Sequence, residues 1–159
     1  MEKSKPLISI VSPVYRAEKI LPELINRIEL SLNKFTDSFE IILVEDGSPD
    51  KSWQKIENLS HGKEYVKGIK LSRNFGQHYA ITCGLDHALG NWVVVMDCDL
   101  QDQPEEIEKL YHKALEGFDI VLASRKVRKD NYFKKMFSKF FYMTLGYLTG
   151  TTQDESVAN

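Results

Sequence analysis

The stretch that decides the fold is Val93-Val94-Val95-Met96-Asp97-Cys98-Asp99-Leu100-Gln101-Asp102. Its first residues form an apolar run of strand length, rich in β-branched side chains, which predicts a buried central strand. Carboxylates at the carboxyl end of such a strand lie where open α/β sheets bind ligands. Asp97 and Asp99 are two residues apart and can both turn toward one hard cation, Mg²⁺ or Mn²⁺. The alternative is an ordinary strand-to-helix turn, with Asp102 or Gln101 near a helix start.

Composition and charge are those of one soluble domain. The chain has 159 residues, of which 42% are hydrophobic and 28% charged, and a formal net charge of −2. This balance supplies a sizeable core and no general attraction to nucleic acid, so no nucleic-acid partner is expected. The chain contains no run of about 18 apolar residues and no apolar signal segment, which predicts a cytoplasmic location. Cys83 and Cys98 lack metal-site spacing, and we expect reduced, buried thiols.

Hydrophobic periodicity alternates between strand and helix patterns along the chain. Strands are predicted at residues 7–12, 40–45, 66–71, 92–97 and 118–123. Helical spacing predicts helices at residues 20–32, 53–59, 75–89 and 104–116. Such alternation requires right-handed crossovers and favours a three-layer α/β/α architecture around a mainly parallel, doubly wound sheet.

Polar residues follow every predicted strand at its carboxyl end. They are Pro13 and Tyr15; Glu45 and Asp46; Ser72, Arg73, Asn74 and Gly76; Asp97, Asp99 and Gln101; and Ser124 and Arg125. Because parallel strands end at the same edge of a sheet, these groups can form one site. Each alone also has an ordinary role: Asp46 in a turn, Asn74 as an N-cap, and Arg73 as a solvated charge.

Five motifs in this order resemble those of a known family. They are Ser12-Pro13-Val14-Tyr15, Val44-Glu45-Asp46-Gly47-Ser48-Pro49-Asp50, Ser72-Arg73-Asn74-Phe75-Gly76, Met96-Asp97-Cys98-Asp99-Leu100-Gln101-Asp102-Gln103-Pro104-Glu105, and Ala123-Ser124-Arg125. The set resembles family 2 glycosyltransferases, in particular the branch of dolichyl-phosphate mannose synthase and the bacterial polyprenyl-phosphate glycosyltransferases. The resemblance implies a Rossmann-like GT-A fold, a nucleotide-diphosphate sugar donor, a divalent cation and transfer with inversion at the anomeric carbon.

The resemblance also implies which residues bind the donor. Asp46 would contact the nucleobase, and Pro13 and Tyr15 would line the nucleoside pocket. Arg73 and Asp97 complete the expected donor-binding set.

The same resemblance implies a metal site and a catalytic set. Asp97 and Asp99 would meet the metal and the donor, and Gln101 would be a further metal ligand. Arg125, with the metal, would stabilise the negative charge that grows on the leaving diphosphate. Asp97, Asp99 and Arg125 are therefore the expected catalytic residues.

The expected acceptor is a polyprenyl phosphate, as in cell-envelope glycan synthesis. An ionised phosphate attacks without a general base, so the sequence need not contain one. A saccharide acceptor would need a base, and the Q-x-x-R-W motif of processive polysaccharide synthases is absent. Two positions depart from the branch: Arg16 and Ala17 stand where Asn and Glu are usual, and Gln77 and His78 where many bacterial relatives carry Lys and Glu. No donor contact is assigned to the first pair, and no catalytic role to His78.

Three other functions share part of this pattern. A haloacid-dehalogenase-like phosphatase carries D-x-D on its first strand, followed two residues later by Thr or Val, where this chain has Gln101. A nucleotidyltransferase is expected to have a Gly-rich phosphate loop after the first strand, and Ser12-Pro13-Val14-Tyr15 is not one. A nucleotide-binding or membrane-docking module without turnover remains the main alternative.

The chain is expected to divide near residue 125. Residues 1–125 would form the nucleotide-sugar-binding core, and residues 126–159 would begin an acceptor-side, membrane-proximal segment. Cations and aromatic residues alternate within residues 126–148, which predicts an interfacial helix at an anionic bilayer or a helix that packs on the rest of the protein. The sequence looks truncated, so we expect nucleotide binding without turnover in this chain. The full-length protein is expected at the inner face of the cytoplasmic membrane.

Overall fold

The structure, a computed structural model, describes residues 5–123. Strands and helices alternate as the periodicity predicts. The strands are β1 (Ile8–Val14), β2 (Phe39–Glu45), β3 (Val66–Lys70) and β4 (Trp92–Val95). The helices are α1 (Leu21–Leu32), α2 (Ser52–Gly62), α3 (Gln77–His87) and α4 (Ile107–Ala114), and a 3₁₀ turn, Pro104–Glu106, precedes α4.

The chain divides into two compact units, Met1–Tyr111 and His112–Asn159. The first unit contains the sheet, α1 to α3 and the start of α4. Of the second unit the structure describes residues 112–123, which include the end of α4 and a turn at Gly117, where φ is 104°. The predicted segment 126–159 lies outside the described residues.

The four described strands form one parallel sheet in the order β3-β2-β1-β4. β1 pairs with β2 so that Val14 lies opposite Glu45, and with β4 so that Val11 lies opposite Val95. The chain therefore runs outward from β1 to β3 and returns to place β4 on the other side of β1. This reversal between β1 and β4 is a topological switch point, where doubly wound sheets bind ligands.

Helices cover both faces of the sheet. On one face, α1, α2 and the start of α4 pack against β1 and β2 in a core that includes Leu24, Ile28, Ile56 and Ile107, each no more than 2% exposed. On the other face, α3 packs through Ala80 against the opposite side of the same strands. The three-layer α/β/α architecture is therefore confirmed.

Small residues let α3 approach the sheet closely. Gly84 is buried, and a Cβ added there would lie 2.3 Å from Cγ1 of Val11. Ala80, one turn earlier, is 0% exposed. This close packing fixes α3 against β1 and so determines where the first turn of the helix lies.

A buried carboxylate joins the elements at the amino end of the sheet. Glu40 is 3% exposed and accepts hydrogen bonds from the Ser9 hydroxyl (2.6 Å), the Leu89 N–H (2.7 Å) and the Lys67 ammonium (2.6 Å). Burial opposes ionisation, but the bonds from Lys67 and Ser9 outweigh it and hold the pKa of Glu40 below its usual value. This network stabilises the fold at the end of the sheet opposite to the strand ends that carry the predicted site.

The predicted fifth strand, residues 118–123, was wrong. The structure describes these residues as irregular, with Ile120 78% and Leu122 70% exposed. An apolar run becomes a strand only when a neighbouring strand satisfies its N–H and C=O groups, and the described residues supply no such ladder for it.

None of the helices between residues 5 and 123 has the length and hydropathy of a membrane span.

Candidate functional site

A cavity of about 310 Å³ opens at the carboxyl ends of β1, β2 and β4. This volume falls at the lower end of the range typical of small-molecule sites. The lining residues are Pro13, Val14, Tyr15, Asp46, Asn74, Gly76, Gln77, Asp97, Cys98 and Asp99. The cavity lies at the switch point between β1 and β4, so topology and shape indicate the same site.

Asp46 follows β2 and anchors the start of α3. Its side chain is 3% exposed, and its two oxygens accept hydrogen bonds from the backbone N–H groups of Phe75 (2.7 Å) and Gly76 (2.9 Å). Charge-assisted bonds of this kind are short and strong. Asp46 therefore has a structural role in the loop before α3, and its remaining lone pairs are those available to a ligand in the cavity.

Gly47 allows the loop after β2 to contact the loop before α3. Its φ is 64°, in the left-handed region, and a Cβ added there would lie 2.3 Å from the Asn74 nitrogen and 2.6 Å from the Arg73 carbonyl carbon. Any larger residue would therefore be strained by both its backbone angle and its surroundings. Gly47 and Asp46 together bring the two loops into contact at the cavity.

The loop after β1 is held by hydrogen bonds to the loop after β2. The Arg16 N–H donates to Ser48 Oγ (2.6 Å), and the Ala17 N–H donates to Ser52 Oγ (2.9 Å). Both hydroxyls donate in turn to Asp50 Oδ1, at 2.7 and 2.6 Å. We call Ser48, Asp50 and Ser52 the loop clamp. The clamp fixes the backbone immediately after the cavity-lining end of β1.

Asp50 is the common acceptor of the loop clamp. It also receives the backbone N–H groups of Glu18 (3.3 Å) and Ser52 (3.1 Å). Burial raises its pKa, but the bonds from Ser52, Ser48 and the Glu18 N–H outweigh that effect and lower the pKa to about 2. Asp50 is therefore ionised at neutral pH, which strengthens each bond of the clamp.

Two buried polar atoms at the same edge of the sheet lack a hydrogen-bond partner among the described residues. They are Ser12 Oγ and Glu45 Oε2, in side chains that are 0% and 1% exposed. The other oxygen of Glu45 accepts a hydrogen bond from the N–H of Ser48, a member of the loop clamp. Leaving buried polar atoms unpaired is costly, and such costs are typical of strand ends shaped for function rather than for stability.

Asp97 and Asp99 lie in the cavity wall after β4. The turn that carries them is strained, because Leu100 has a φ of 61°, which a bulky side chain seldom adopts. The Gln101 N–H donates to Asp99 Oδ1 at 2.9 Å and closes the turn. The strained backbone at Leu100 therefore belongs to the turn that places both carboxylates at the cavity.

These carboxylates fit a divalent cation that shares its coordination with a ligand. Both supply hard oxygen donors, which suit Mg²⁺ and Mn²⁺. Among the described residues, no cluster of three His, Cys, Asp or Glu side chains has the arrangement of a complete metal site. Mg²⁺ commonly binds to one or two carboxylates, with waters and substrate phosphates as its other ligands. The donor set therefore suits a cation that binds together with a phosphate.

Cys98 lies between the two acids and also lines the cavity. Burial raises the pKa of its thiol; a backbone hydrogen bond from Tyr15 opposes the shift, and the charges of Asp99 and Asp97 add to it. A neutral thiol is a poor nucleophile. Cys98 therefore acts as an uncharged wall of the site.

Gln77, for which the sequence predicted no role, lies at the first position of α3 and contacts Asp97, one of the acidic pair. Its side-chain Nε2 donates to Asp97 Oδ1 at 2.6 Å. The contact joins residues 20 positions apart in the chain. A Gln at a helix start has many ordinary roles, and no spacing rule pairs it with an acid on a later strand.

The predicted site residues are brought together only in part. The cavity is lined by Pro13, Tyr15, Asp46, Asp97 and Asp99.

The other three predicted residues are not in that wall. Gln101 is exposed and is not one of the lining residues, although its N–H closes the acidic turn. Arg73 lies outside the lining as well, and its guanidinium carbon lies 4.5 Å from the centroid of the Phe75 ring. Arg125 lies outside the described residues.

Comparison with curated proteins identifies relatives of this chain. It is 39% identical over 146 residues to an undecaprenyl-phosphate 4-deoxy-4-formamido-L-arabinose transferase of Aeromonas hydrophila subsp. hydrophila, covering 91% of this chain and 44% of the relative. It is 40% identical over 144 residues to the transferase of the same name from Salmonella choleraesuis, covering 90% and 44%. The chain thus spans less than half the length of these relatives.

Solved structures share the fold. S. aureus TarS 1-349 in complex with UDP has a TM-score of 0.62 at 27% identity, covering 79% of this chain and 37% of that one. A mannosyltransferase from Pyrobaculum calidifontis, in complex with GDP-Man and Mn2+, has a TM-score of 0.53 at 20% identity, covering 61% and 28%. These likenesses confirm the GT-A, Rossmann-like architecture.

A family model completes the comparison. The model described as "Glycosyl transferase family 2" matches residues 9–157, nearly the whole chain. The resemblance carried by the five motifs is therefore confirmed: the chain belongs to glycosyl transferase family 2.

Proposed function

We propose that this chain is the donor-binding part of an inverting glycosyltransferase that moves a sugar from a nucleotide diphosphate to a polyprenyl phosphate. The observation that carries the proposal is the pair Asp97 and Asp99 in the wall of a switch-point cavity, with Asp46 at the same cavity. Two relatives are named undecaprenyl-phosphate 4-deoxy-4-formamido-L-arabinose transferases, and TarS has been solved with UDP.

The cavity offers two chemically different regions to such a donor. Pro13 and Tyr15 present an apolar and an aromatic surface, with Asp46 as a buried acceptor, and these suit a nucleoside. Asp97 and Asp99 present negative charge, which repels a diphosphate unless a cation lies between them. We propose that the two acids hold Mg²⁺ or Mn²⁺, which when bound would neutralise the diphosphate and favour its departure.

Three further predicted residues have narrower proposed roles. Gln101 lies next to the acidic turn and would join the metal ligands only if its side chain turned toward the cavity. Arg73 would reach the donor only by leaving the Phe75 ring. Arg125 is proposed to assist the leaving diphosphate.

An ionised phosphate acceptor fits the chemistry of the described site. Inverting transfer needs a nucleophile that attacks opposite to the leaving diphosphate, and a lipid phosphate is already deprotonated at neutral pH. Transfer to a saccharide hydroxyl is the less favoured alternative, because the named relatives act with undecaprenyl phosphate. We place the start of the acceptor side in residues 126–159, and the whole protein at the inner face of the cytoplasmic membrane.

The donor proposal is tested by calorimetric titration of UDP, GDP and dTDP into the chain, first with Mn²⁺ and then with EDTA. Binding of one nucleotide that is lost with EDTA would support the site and name the donor class. Equal binding with and without the metal would remove the cation from the proposal.

Turnover is tested separately. We expect this chain to bind donor without transferring its sugar, because the groups that line the described cavity suit the donor and none of them is assigned to the acceptor. The purified chain is incubated with labelled nucleotide sugar and undecaprenyl phosphate, and labelled lipid is counted. A robust transfer rate would show that the acceptor site lies within these residues and would overturn the expectation.

A further inference from the structure

We propose that Gln77 is a positioning residue for the cation-binding carboxylate Asp97, an inference that rests on the proposed function of the acidic pair. Gln77 would hold Asp97 in the cavity wall through its side-chain amide, without adding a charge. The proposed metal ligands themselves remain Asp97 and Asp99.

The contact between Gln77 and Asp97 has the geometry of a short hydrogen bond. Gln77 Nε2 lies 2.6 Å from Asp97 Oδ1, and both residues line the cavity. A bond of this length from an amide to a carboxylate is charge-assisted and restricts the rotation of the acid. A ligand side chain held in one rotamer loses less entropy when a cation binds, so the bond favours binding.

The backbone that leads into Gln77 is held in place by hydrogen bonds. It is the first residue of α3, and the two residues before it donate their N–H groups to Asp46. Gly76, the N-cap, has a φ of 100°, so the chain turns sharply into the helix at this point. The contact with Asp97 is therefore built on a backbone held by Asp46, and it joins the start of α3 to the turn after β4.

The Gln77 side chain is uncharged. An amide orients Asp97 without adding a positive charge of its own beside it. A Lys at this position, the residue that many bacterial relatives carry, would add a positive charge beside Asp97 and lower the attraction of the acidic pair for a cation. Gln77 therefore orients Asp97 without an added positive charge, which an ammonium group cannot do.

The first test detects the contact itself by NMR. The side-chain amide resonances of Gln77 are assigned as those missing in Gln77→Ala. We expect them to be displaced from the resonances of Gln54, which is exposed on α2, and to move toward these in Asp97→Asn. The proposal would be overturned if the side-chain amide resonances of Gln77 had the same chemical shifts as those of Gln54 and did not move in Asp97→Asn.

The second test measures Mn²⁺ affinity by electron paramagnetic resonance, with Gln54→Ala as the matched control. Gln77→Ala is expected to weaken Mn²⁺ binding about tenfold, a loss typical of partners that orient metal ligands. Gln77→Lys should also weaken it, although it can still contact Asp97. Thermal unfolding should be unchanged in both variants, because Gln77 is exposed.

The outcomes separate this inference from the proposed function. If the wild-type chain shows metal-dependent nucleotide binding and Gln77→Ala keeps wild-type Mn²⁺ affinity, the inference alone is overturned. If the wild-type chain binds neither Mn²⁺ nor any nucleotide, the proposed function fails and the inference fails with it. A lowered unfolding temperature in Gln77→Ala would mean that the residue is structural and would also overturn the inference.

Discussion

Gly47 lies so close to Asn74 that a Cβ on Gly47 would come within 2.3 Å of the Asn74 backbone nitrogen. This contact brings the loop after β2 against the loop before α3. The adjacent Asp46 then reaches the N–H groups that precede the helix. The geometry of the cavity therefore depends on the absence of a single side chain.

Gly47→Ala is the most disruptive small substitution that we expect at the site. The added methyl group meets backbone rather than a flexible side chain, and φ at this position is 64°. We expect a loss of about 2–4 kcal/mol in the free energy of unfolding. Urea denaturation followed by circular dichroism measures it.

Gly62→Ala is the control for this substitution. Gly62 ends α2, and a Cβ there meets nothing within 4 Å. We expect a gain of about 0.5 kcal/mol, from the lower entropy of the unfolded chain. Equal effects of the two substitutions would contradict the close contact between the two loops.

Asp50→Asn tests the loop clamp through its pH dependence. The pKa of Asp50 is lowered to about 2 in the folded protein, from an ordinary value of 3.8. Its ionised form therefore contributes stability above pH 3.8, and this contribution is lost as the pH falls through about 2. The variant should lack this part of the pH dependence, so wild type and variant converge in stability between pH 4 and pH 2.

The measurement for the clamp is the urea midpoint at several pH values in that window. Asp37→Asn, at an exposed position, is the control for the removal of one carboxylate. If the difference between wild type and Asp50→Asn stays constant from pH 5 to pH 2, the charge of Asp50 is not what holds the clamp.

Glu40→Ala should destabilise the fold without altering the cavity. The substitution leaves the Ser9 hydroxyl and the Leu89 N–H without their acceptor at the amino end of the sheet. We expect a loss of about 2–4 kcal/mol, since buried groups are left unpaired. Glu57→Ala, at an exposed position of α2, should change stability by less than about 0.5 kcal/mol. At temperatures below unfolding, both variants should bind nucleotide with wild-type affinity. A large loss of nucleotide affinity in Glu40→Ala would contradict the separation between the amino end of the sheet and the cavity at its carboxyl end.

Tyr15→Ala should weaken nucleotide binding with little effect on stability. Tyr15 lines the cavity and is 44% exposed, so its ring is available to a nucleoside. Loss of one aromatic contact with a base corresponds to about a tenfold rise in Kd. Tyr79→Ala is the matched control, because Tyr79 is 68% exposed on α3 and is not one of the lining residues. Equal Kd values for the two variants, measured by calorimetry, would place the nucleoside elsewhere.

The sequence was sufficient to predict the four described strands, of which β1 and β2 are buried apolar runs. The buried central position expected for residues 93–96 was wrong for the described sheet, because β4 lies at its edge with Val93 40% and Val95 44% exposed. Polar residues at strand ends also identified the cavity, since parallel strands end together. The run at residues 118–123 has a similar composition, but composition does not tell whether a partner strand is present. Fold class was therefore easier to predict than the extent of the sheet.

Side-chain contacts across loops were not predictable from the sequence. Asp50, Ser48 and Ser52 have the composition of an ordinary turn, and only the structure shows them holding the loop after β1. Gln77 gave no signal either, because its partner Asp97 lies on another strand end. These contacts depend on how the ends of separate strands are brought together in space.

The central claim is that Asp99, with Asp97, holds a cation that the donor diphosphate needs. The most direct measurement is calorimetric binding of the preferred nucleotide, in the presence of Mn²⁺, to wild type and to Asp99→Asn. We predict at least about a tenfold loss of affinity in the variant, with unchanged thermal unfolding because Asp99 is exposed. Equal affinity in the two proteins, with the same dependence on Mn²⁺, would contradict the assignment of the cation to this acidic turn.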